Sequence, residues 1–323
     1  MSIPADMHRV VMLAYPGVEV VDLTGPAQVF SAAARLAPAR ARYRVELRAA
    51  TRGPVPTPSG LSLMATSWRG VRGPIDTLLV PGCLDVHADA ARRVVPTLQR
   101  LAPRAARVVG VCTGALLLAD AGLLGGRRAV THWAAIEELQ RRAPGCSVES
   151  APIYVQDGDV WTSAGVTAGM DLALALIEAD HDADLARQVA RWLVMYLRRP
   201  GGQTQFSPPP ATTTAPATGS IAAVVRWVGD HLDDDLSVES LARRAAMSPR
   251  NFARVFRRQI GRPPAAWVAN ARLEAARSML ERSTASIAEI AGATGQSPET
   301  LHRVFVRALG TTPRQYRRRF TSG

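Results

Sequence analysis

The stretch RVVGVCTGALLLADAGLL (residues 107–124) contains the local pattern that decides the fold of the first half of this chain. An apolar run leads to Gly110, a single cysteine, Cys112, stands just beyond it, and a helix-like run begins after Gly114. The order Gly-x-Cys-x-Gly is the cysteine form of the sharp turn that places a nucleophile between a strand and a helix. The stretch therefore predicts an exposed cysteine on an elbow at the carboxyl end of a strand.

Strand-like and helix-like segments alternate on both sides of this elbow. Short apolar runs predict strands at Val10–Ala14, Tyr43–Ala49, Thr77–Val80, Arg107–Val111, Ile153–Val155 and Val160–Thr162. Apolar residues at helical spacing predict helices at Pro26–Leu36, Ala88–Leu101, Ala115–Ala121, Trp133–Arg142, Ala168–Ala179 and Asp184–Leu197. This alternation is typical of an α/β domain with a mostly parallel, flavodoxin-like sheet between two helical layers. In such a sheet ligands bind beyond the carboxyl ends of the strands, where Cys112 falls.

Charge limits the classes of protein to which the chain can belong. Its 323 residues carry a net charge of +12, entirely from arginine, because the sequence contains no lysine. Residues 219–323 hold 17 arginines against 9 acidic residues, a net charge of +8, whereas the preceding residues carry only +4. This uneven distribution favours a polyanionic partner for the last third of the chain.

Composition excludes several further classes. No apolar run approaches the ~18 residues that span a bilayer, so we expect no membrane partner. Three cysteines, Cys83, Cys112 and Cys146, fit a reduced, cytoplasmic protein better than a disulfide-linked secreted one. The sequence has neither a phosphate-binding loop of the G-x-x-x-x-G-K-[ST] type nor a dense cluster of metal-ligating residues, so we expect no cofactor and no metal.

One segment interrupts the alternation: RRPGGQTQFSPPPATTTAPATGS, residues 198–220. Three consecutive prolines and a Thr/Ala/Pro tract can neither bury apolar surface nor continue a helix, so the segment predicts a partly extended linker. We therefore expect an α/β domain at residues 1–200, a linker at residues 201–218 and an all-α domain at residues 219–323.

The last third of the chain contains an internal repeat. Residues 237–267 align without a gap to residues 286–316, and ten of the 31 positions are identical. Each copy predicts a short helix, a tight turn and a second helix that begins with Ser-Pro, because serine caps a helix and proline suits its first turn. Such a pair is a helix-turn-helix motif, whose second helix enters the major groove of DNA. A helical pattern from Ala265 to Arg282 connects the two motifs.

The second helix of the first copy has a cationic face opposite its aromatic residues. Helical spacing places four arginines there: Arg250, Arg254, Arg257 and Arg258. A single cationic face of this kind is also typical of a solvent-exposed helix surface in a small helical domain. Because the motif occurs twice in register and the arginine excess lies in the same region, we interpret the face as a DNA-reading surface.

These motifs resemble the DNA-binding domain of AraC-family transcriptional regulators over nearly all of residues 220–320. The resemblance rests on G-x-S-P-x-x-L-x-R-x-F in the second copy, followed by Gly310, Pro313 and Tyr316. It implies promoter DNA and RNA polymerase as partners, with base contacts from Arg250, Asn251, Arg254, Glu299, Thr300, His302 and Arg303. Ala246 stands where the family has a turn glycine, which predicts an alanine in the left-handed region at a cost of about 1 kcal/mol.

The first 200 residues resemble the ThiJ/PfpI branch of class I glutamine-amidotransferase-like domains. The elbow at Cys112, the segment YPGVEVVDLTGPAQVF (residues 15–30) and the tripeptide THW (residues 131–133) carry this resemblance. Coupled to an AraC-type domain, it is the layout of GlxA-type regulators, which implies a sensing and dimerising N-terminal domain. The stretch that contains Cys112 is also similar to isocyanide hydratase, an enzyme of the same superfamily.

The resemblance and the strand–helix junctions together predict a ligand pocket around the elbow. Its predicted residues are Asp22, Gly82, Cys83, Cys112, Thr113, Gly114 and His132. A cysteine at a helix N-terminus can have a lowered pKa, and in isocyanide-hydratase-like proteins the residue that matches Asp22 is its acid/base partner. Three of these residues have alternative interpretations. Asp22 also fits a helix cap, His132 a histidine bonded to neighbouring backbone, and Cys83 a small buried residue.

The sequence therefore predicts a cytoplasmic, homodimeric transcriptional regulator that binds promoter DNA under the control of an unknown small-molecule effector. Catalysis is disfavoured, because Thr113 stands where PfpI-type proteases have histidine and the glutaminase H-x-E pair is absent. Two alternatives stay open. One is a cysteine-dependent hydratase or hydrolase with Cys112, Asp22 and His132 as catalytic residues, and the other is a redox sensor that uses Cys112.

Overall fold

The structure, a computed structural model, describes residues 7–197, 203 and 219–320. The chain divides into two compact units between residues 204 and 205. Apart from Gln203, the predicted linker at residues 201–218 lies outside the described residues. No described helix is long and apolar enough to cross a membrane.

A mostly parallel sheet forms the centre of the first unit. The strands within its described residues are β1 (His8–Leu13), β2 (Tyr43–Ala49), β3 (Gly53–Pro56), β4 (Ser62–Ser67), β5 (Ile75–Val80), β6 (Ala105–Val111), β7 (Arg128–Ala129), β8 (Ser147–Val148), β9 (Tyr154–Asp157) and β10 (Val160–Ser163). Eight strands form one sheet in the order β3-β4-β2-β1-β5-β6-β10-β9, and β7 pairs with β8. Only the β3–β4 and β9–β10 pairs are antiparallel. The predicted α/β class is confirmed.

Helices connect these strands. They are α1 (Val20–Leu36), α2 (Asp89–Arg92), α3 (Val94–Leu101), α4 (Gly114–Asp120), α5 (Ile136–Arg142), α6 (Ala168–Asp180) and α7 (Ala183–Trp192). The central strands β1 and β5 are almost completely buried, as expected for a sheet that helices cover on both faces. The core of this unit lies between the sheet and these helices.

The structure differs from the predicted elements in several places, and α7, for example, ends at Trp192 rather than at Leu197. Helix α1 begins at Val20 rather than at Pro26, because close packing of Gly25 and Pro26 against α6 stabilises a helix that contains an internal proline. The single helix expected over Ala88–Leu101 is two helices, α2 and α3, separated at Arg93. The β3–β4 hairpin was not predicted, because its prolines and exposed residues suit only the edge of a sheet.

All secondary-structure elements among the described residues of the second unit are helices. Its helices are α8 (Gly219–Asp230), α9 (Val238–Arg244), α10 (Pro249–Ile260), α11 (Pro264–Arg282), α12 (Ile287–Ala293), α13 (Pro298–Leu309) and α14 (Pro313–Phe320). Two hydrophobic clusters form its core, one around Phe256 and one around Phe305. Helix α11 contributes Trp267 to the first cluster and Leu280 to the second. The predicted all-α domain with two helix-turn-helix motifs is confirmed.

Candidate ligand pocket and nucleic-acid interface

Cys112 lies on the predicted elbow between β6 and α4, but it is buried. It is only 7% exposed, and its backbone φ of +59° lies in the left-handed region. Two glycines approach it closely, since a β-carbon on Gly165 would lie 2.6 Å from the Cys112 sulfur and one on Gly82 would lie 2.8 Å from its β-carbon. The prediction of an exposed cysteine is therefore wrong, because backbone from other loops covers the thiol.

Burial also reverses the expected acidity of this thiol. Burial, followed by the negative charge of Asp22, raises the pKa of Cys112 well above its usual range. A hydrogen bond from the backbone amide of Thr113 opposes this shift but does not cancel it. Cys112 is thus a neutral thiol near pH 7, and the lowered pKa expected from a helix N-terminus is wrong.

Asp22 lies in the first turn of α1 and is completely buried. Its carboxylate accepts hydrogen bonds from the backbone amides of Gly82 (2.9 Å) and Val166 (2.8 Å), in the loops that follow β5 and β10. Burial raises the pKa of Asp22 to about 6, although both hydrogen bonds favour the ionised form. Asp22 is therefore not the helix cap that the sequence allowed, because its oxygens bind two distant loops.

Thr113 joins the loop after β5 to the elbow after β6. Its hydroxyl donates to the carbonyl oxygen of Cys83 (2.7 Å) and accepts from the backbone amide of Cys83 (2.9 Å). Next to it, Gly114 packs so closely that a β-carbon there would collide with the carbonyl oxygen of Val80. The elbow is thus fixed from two sides, by Thr113 and by the loops that Asp22 binds.

A cavity of about 590 Å³ lies beside the elbow. Four of the seven predicted pocket residues line it: Cys83, Cys112, Thr113 and His132. Asp22, Gly82 and Gly114 do not line it and instead contact the loops that form its wall. Sequence reasoning missed other lining residues, among them Glu19, Leu84, Val86, His87, Leu116, Glu138 and Arg141. Glu19, three residues before Asp22, and Leu116, four residues after Cys112, lie in quoted segments and so had a signal that could have pointed to them.

The cavity has few charged groups. Glu138 is paired with Arg141 and with Arg142, whose Nε lies 2.6 Å from a Glu138 oxygen. The carboxylate of Glu19 has no side-chain partner among the described residues. The charge of Glu138 in the cavity wall is therefore balanced by arginines, whereas that of the Glu19 carboxylate is not.

His132 combines the two roles considered for it. The ring lines the cavity, and its Nδ1 accepts a hydrogen bond from the Ala134 amide at 3.3 Å. Burial lowers the pKa of His132, so the neutral ring is the form present near pH 7. Within the described residues, no group of three His, Cys, Asp or Glu side chains is placed to hold a metal ion.

The predicted recognition helices, α10 and α13, are each the second helix of a helix-turn-helix motif. Ser248 and Ser297 cap them, because their hydroxyls accept hydrogen bonds from the first-turn amides of Asn251 (3.4 Å) and Thr300 (3.2 Å). The inner faces of both helices are apolar and buried: Phe252, Val255, Phe256, Leu301, Phe305 and Leu309. This packing turns the opposite, polar faces outward.

The side chains expected to contact DNA lie on these outward faces. Seven of them are exposed: Arg250, Arg254, Arg257, Arg258, Glu299, His302 and Arg303. Asn251 and Thr300 are half-buried at the helix starts. The Nη2 of Arg254 donates to the Oδ1 of Asn251 (2.7 Å), which holds the guanidinium beside the start of α10. Contact of these residues with bases stays a prediction.

The unusual turn of the first motif has the predicted geometry. Ala246 has a φ of +55°, close to the +61° of the matching Gly295 in the second motif. A β-carbon at Gly295 would lie 2.5 Å from the Leu232 carbonyl oxygen, whereas Ala246 is exposed. The first motif therefore tolerates alanine, because only the backbone strain remains.

The two units define a class of protein, in which an amidotransferase-like α/β domain with a buried elbow cysteine precedes a double helix-turn-helix domain. Family models match residues 8–179 to the DJ-1/PfpI family and residues 241–319 to a helix-turn-helix domain. The chain therefore belongs to the DJ-1/PfpI family, in the form that carries an AraC-type DNA-binding domain.

Three relatives are similar to this chain over about two thirds of its length or more. The HTH-type transcriptional regulator CdhR of Pseudomonas aeruginosa is 31% identical over 85% of this chain and 82% of its own length. The HTH-type transcriptional regulator GlxA of Rhizobium meliloti is 33% identical over 69% of this chain and 68% of its own length. Isonitrile hydratase of Pseudomonas putida is 31% identical over 66% of this chain and 85% of its own length. The chain is a DNA-binding transcriptional regulator.

Proposed function

We propose that a small-molecule effector binds in the cavity beside Cys112 and controls how the double helix-turn-helix domain binds promoter DNA. The observation that carries this proposal is the construction of the cavity. Loops after three parallel strands meet there, and the side chains of Asp22 and Thr113 hold them together. Crevices at the carboxyl ends of such strands are the usual ligand sites of open α/β sheets.

Control by an effector requires two conformations that differ in affinity for it. The N-terminal domain dimerises in this proposal, and the effector favours the dimer geometry that spaces two DNA-binding domains correctly. Because a ligand shifts such an equilibrium only by its difference in affinity for the two states, the cavity must change shape between them. The protein acts in the cytoplasm, where promoter DNA and RNA polymerase are its partners.

DNA reading is assigned to the outward faces of α10 and α13. Arg254, held by Asn251, has the planar fork that reads guanine bidentately, and each such contact contributes roughly 1–3 kcal/mol of discrimination. Helix α11 has 19 residues and is about 28 Å long, so it can hold the two recognition helices near the ~34 Å period of successive major grooves. One subunit thus reads two half-sites on one side of the duplex.

Turnover is not part of the proposed function. A buried, neutral Cys112 is a poor nucleophile, and no hydrogen bond to its sulfur comes from Asp22 or His132, whose bonds go to backbone amides. The hydratase alternative keeps one supporting observation, which is the influence of the Asp22 charge on Cys112 in a domain related to isonitrile hydratase. The redox alternative requires a thiolate that burial disfavours.

Gel-shift titration tests the regulatory proposal. The wild-type chain should bind DNA from the region upstream of its own gene. Arg254→Ala or Arg303→Ala should lower its affinity about 5–150-fold, the fold-change that corresponds to the loss of one bidentate base contact. Arg187→Ala is the matched control, since it removes one arginine from an exposed ion pair on the N-terminal domain. Equal binding to any duplex of the same length would refute sequence-specific regulation.

Substitution of the cysteine separates the alternatives. Cys112→Ser keeps the size of the side chain but removes thiol chemistry, so regulation by a bound effector should persist. The measurement is expression of a reporter from the bound promoter in cells that carry either form. Loss of control with retained DNA binding would instead favour the redox or hydratase role of Cys112.

A further inference from the structure

Gln203 stands at the entrance to the Pro/Thr/Ala-rich segment and is anchored in the first unit. It is only 3% exposed. Its backbone amide donates to the carbonyl oxygen of Ala151 (2.9 Å), and its side-chain Nε2 donates to the carbonyl oxygen of Thr131 (3.0 Å). Burial of a long polar side chain costs conformational freedom, and these two hydrogen bonds offset part of that cost.

The residue that Gln203 binds also supports the elbow. Thr131 is completely buried, and its hydroxyl donates to the carbonyl oxygen of Cys112 (2.9 Å). Its neighbour His132 lines the cavity. Two hydrogen bonds, through a single residue, therefore connect the backbone of Cys112 to the chain that leads to the DNA-binding domain.

One polar atom of the Gln203 side chain has no hydrogen-bond partner among the described residues. This atom, Oε1, is buried. A buried acceptor without a partner opposes burial, because in water the same oxygen would be hydrogen-bonded. The anchored position is therefore held by two bonds against one unsatisfied atom, which makes release easier than for a fully bonded side chain.

We propose that Gln203 is a releasable anchor that couples the Cys112 cavity to the segment preceding the DNA-binding domain. The proposal rests on the proposed function and states how occupancy of the same cavity is transmitted to the segment before the DNA-binding domain. An occupant that shifts the backbone at Thr131 and His132 moves the acceptor away from Nε2, and the chain at Gln203 detaches. By thermodynamic linkage, detachment of Gln203 must in turn alter the cavity.

The first experiment fills the cavity and observes the anchor. In the full-length chain with Cys83→Ala and Cys146→Ala, iodoacetamide places its carboxamidomethyl group on Cys112, and hydrogen exchange is followed in the peptide that contains Gln203. Coupling predicts that the amide of Gln203 exchanges at least about 5-fold faster after labelling, the lower end of common coupling strengths. Unchanged exchange in the labelled protein would overturn the proposal, and no variant at position 203 is needed.

The second experiment changes the anchor at Gln203 and observes the cavity at Cys112. Gln203→Met keeps the length of the side chain but removes the donor, so labelling of Cys112 should become several-fold faster. Gln188→Met is the matched control, because Gln188 is exposed and its Nε2 binds Asp184 on the surface of α7. Equal labelling rates in the two variants would contradict the coupling.

The exchange rate of Gln203 and the labelling rate of Cys112 are both measured without DNA. If the gel shift shows specific binding but labelling leaves Gln203 unchanged, the anchor is refuted and the proposed function stands. If specific DNA binding is absent, the proposed function fails, and the exchange rates still decide whether Gln203 is coupled to the cavity.

Discussion

Gly165 lies directly against Cys112. A β-carbon built on Gly165 would lie 2.6 Å from the Cys112 sulfur, closer than non-bonded atoms approach, and its φ of +96° is one that side chains disfavour. The strands that precede the two residues, β10 and β6, are neighbours, and the Cys112 amide donates to the Ser163 carbonyl oxygen at 3.0 Å. The buried cysteine of this chain therefore requires a glycine at position 165.

Substitution of that glycine should destabilise the first unit. Gly165→Ala adds overpacking, at roughly 1–3 kcal/mol, and left-handed strain, at roughly 1–2 kcal/mol, so we expect a loss of about 2–5 kcal/mol. Thermal unfolding followed by circular dichroism measures it as a lower Tm. Gly125→Ala is the control, because a β-carbon on Gly125 would meet nothing within 4 Å and the φ of this glycine is not positive. Equal Tm values for both variants would contradict the close approach.

The raised pKa of Asp22 makes the stability of the first unit depend on pH. Burial raises the pKa from 3.8 to about 6, so between these values the folded state binds more protons than the unfolded state. The free energy of unfolding therefore falls as pH rises from about 4 to about 6, and the raised pKa corresponds to a loss on the order of 3 kcal/mol. Above pH ~6 the effect of this group is constant.

Asp22→Asn isolates that dependence, because asparagine does not titrate. Urea unfolding of the wild type and of the variant at pH 4, 5, 6 and 7 gives the difference in unfolding free energy at each pH. As pH rises from about 4 to about 6, the wild type should lose on the order of 3 kcal/mol of unfolding free energy relative to Asp22→Asn. Asparagine also lacks the second carboxylate oxygen, so one of the amides of Gly82 and Val166 loses its acceptor at every pH, which adds only a constant offset. A difference that does not change with pH would show that Asp22 keeps its usual pKa.

Two of the three cysteines should react with iodoacetamide in a defined order. Cys146 is half-buried, whereas Cys112 is buried and has its pKa raised by burial and by Asp22, so Cys146 should be labelled first at pH 7.5. Mass spectrometry of peptides from a time course measures the order. Early labelling of Cys112 would show an accessible thiolate and would favour the redox-sensor alternative.

Local patterns predicted the elements that carry this architecture. The Gly-x-Cys-x-Gly turn fixed the place of Cys112 between β6 and α4, because strand, sharp turn and helix are each encoded by consecutive residues. The Ser-Pro starts of α10 and α13 followed from the repeat for the same reason, and the left-handed turn at Ala246 followed from the resemblance to the AraC family. Such features depend on residues close together in the sequence.

The environment of the elbow could not be predicted in this way. Burial of Cys112 depends on Gly165 and Gly82, which are distant in sequence, and the hydrogen bonds of Asp22 span two separate loops. The cavity wall includes Glu138 and Arg141 from α5, which no motif marks. Exposure and pKa are properties of the assembled loops, and for that reason both expectations about the Cys112 thiol were wrong.

The turn of the first helix-turn-helix motif offers a stabilising substitution. Ala246→Gly removes left-handed strain of roughly 1–2 kcal/mol, and the extra freedom of glycine in the unfolded chain offsets about 0.4–1 kcal/mol of that gain. We therefore expect a net stabilisation of up to about 1.5 kcal/mol, measured by calorimetry as a higher Tm of the DNA-binding domain. In the second motif Gly295→Ala should have the opposite and larger effect, because its β-carbon would lie 2.5 Å from the Leu232 carbonyl oxygen. If both substitutions lower the Tm, the side chain of Ala246 makes a contact worth more than the strain of its backbone.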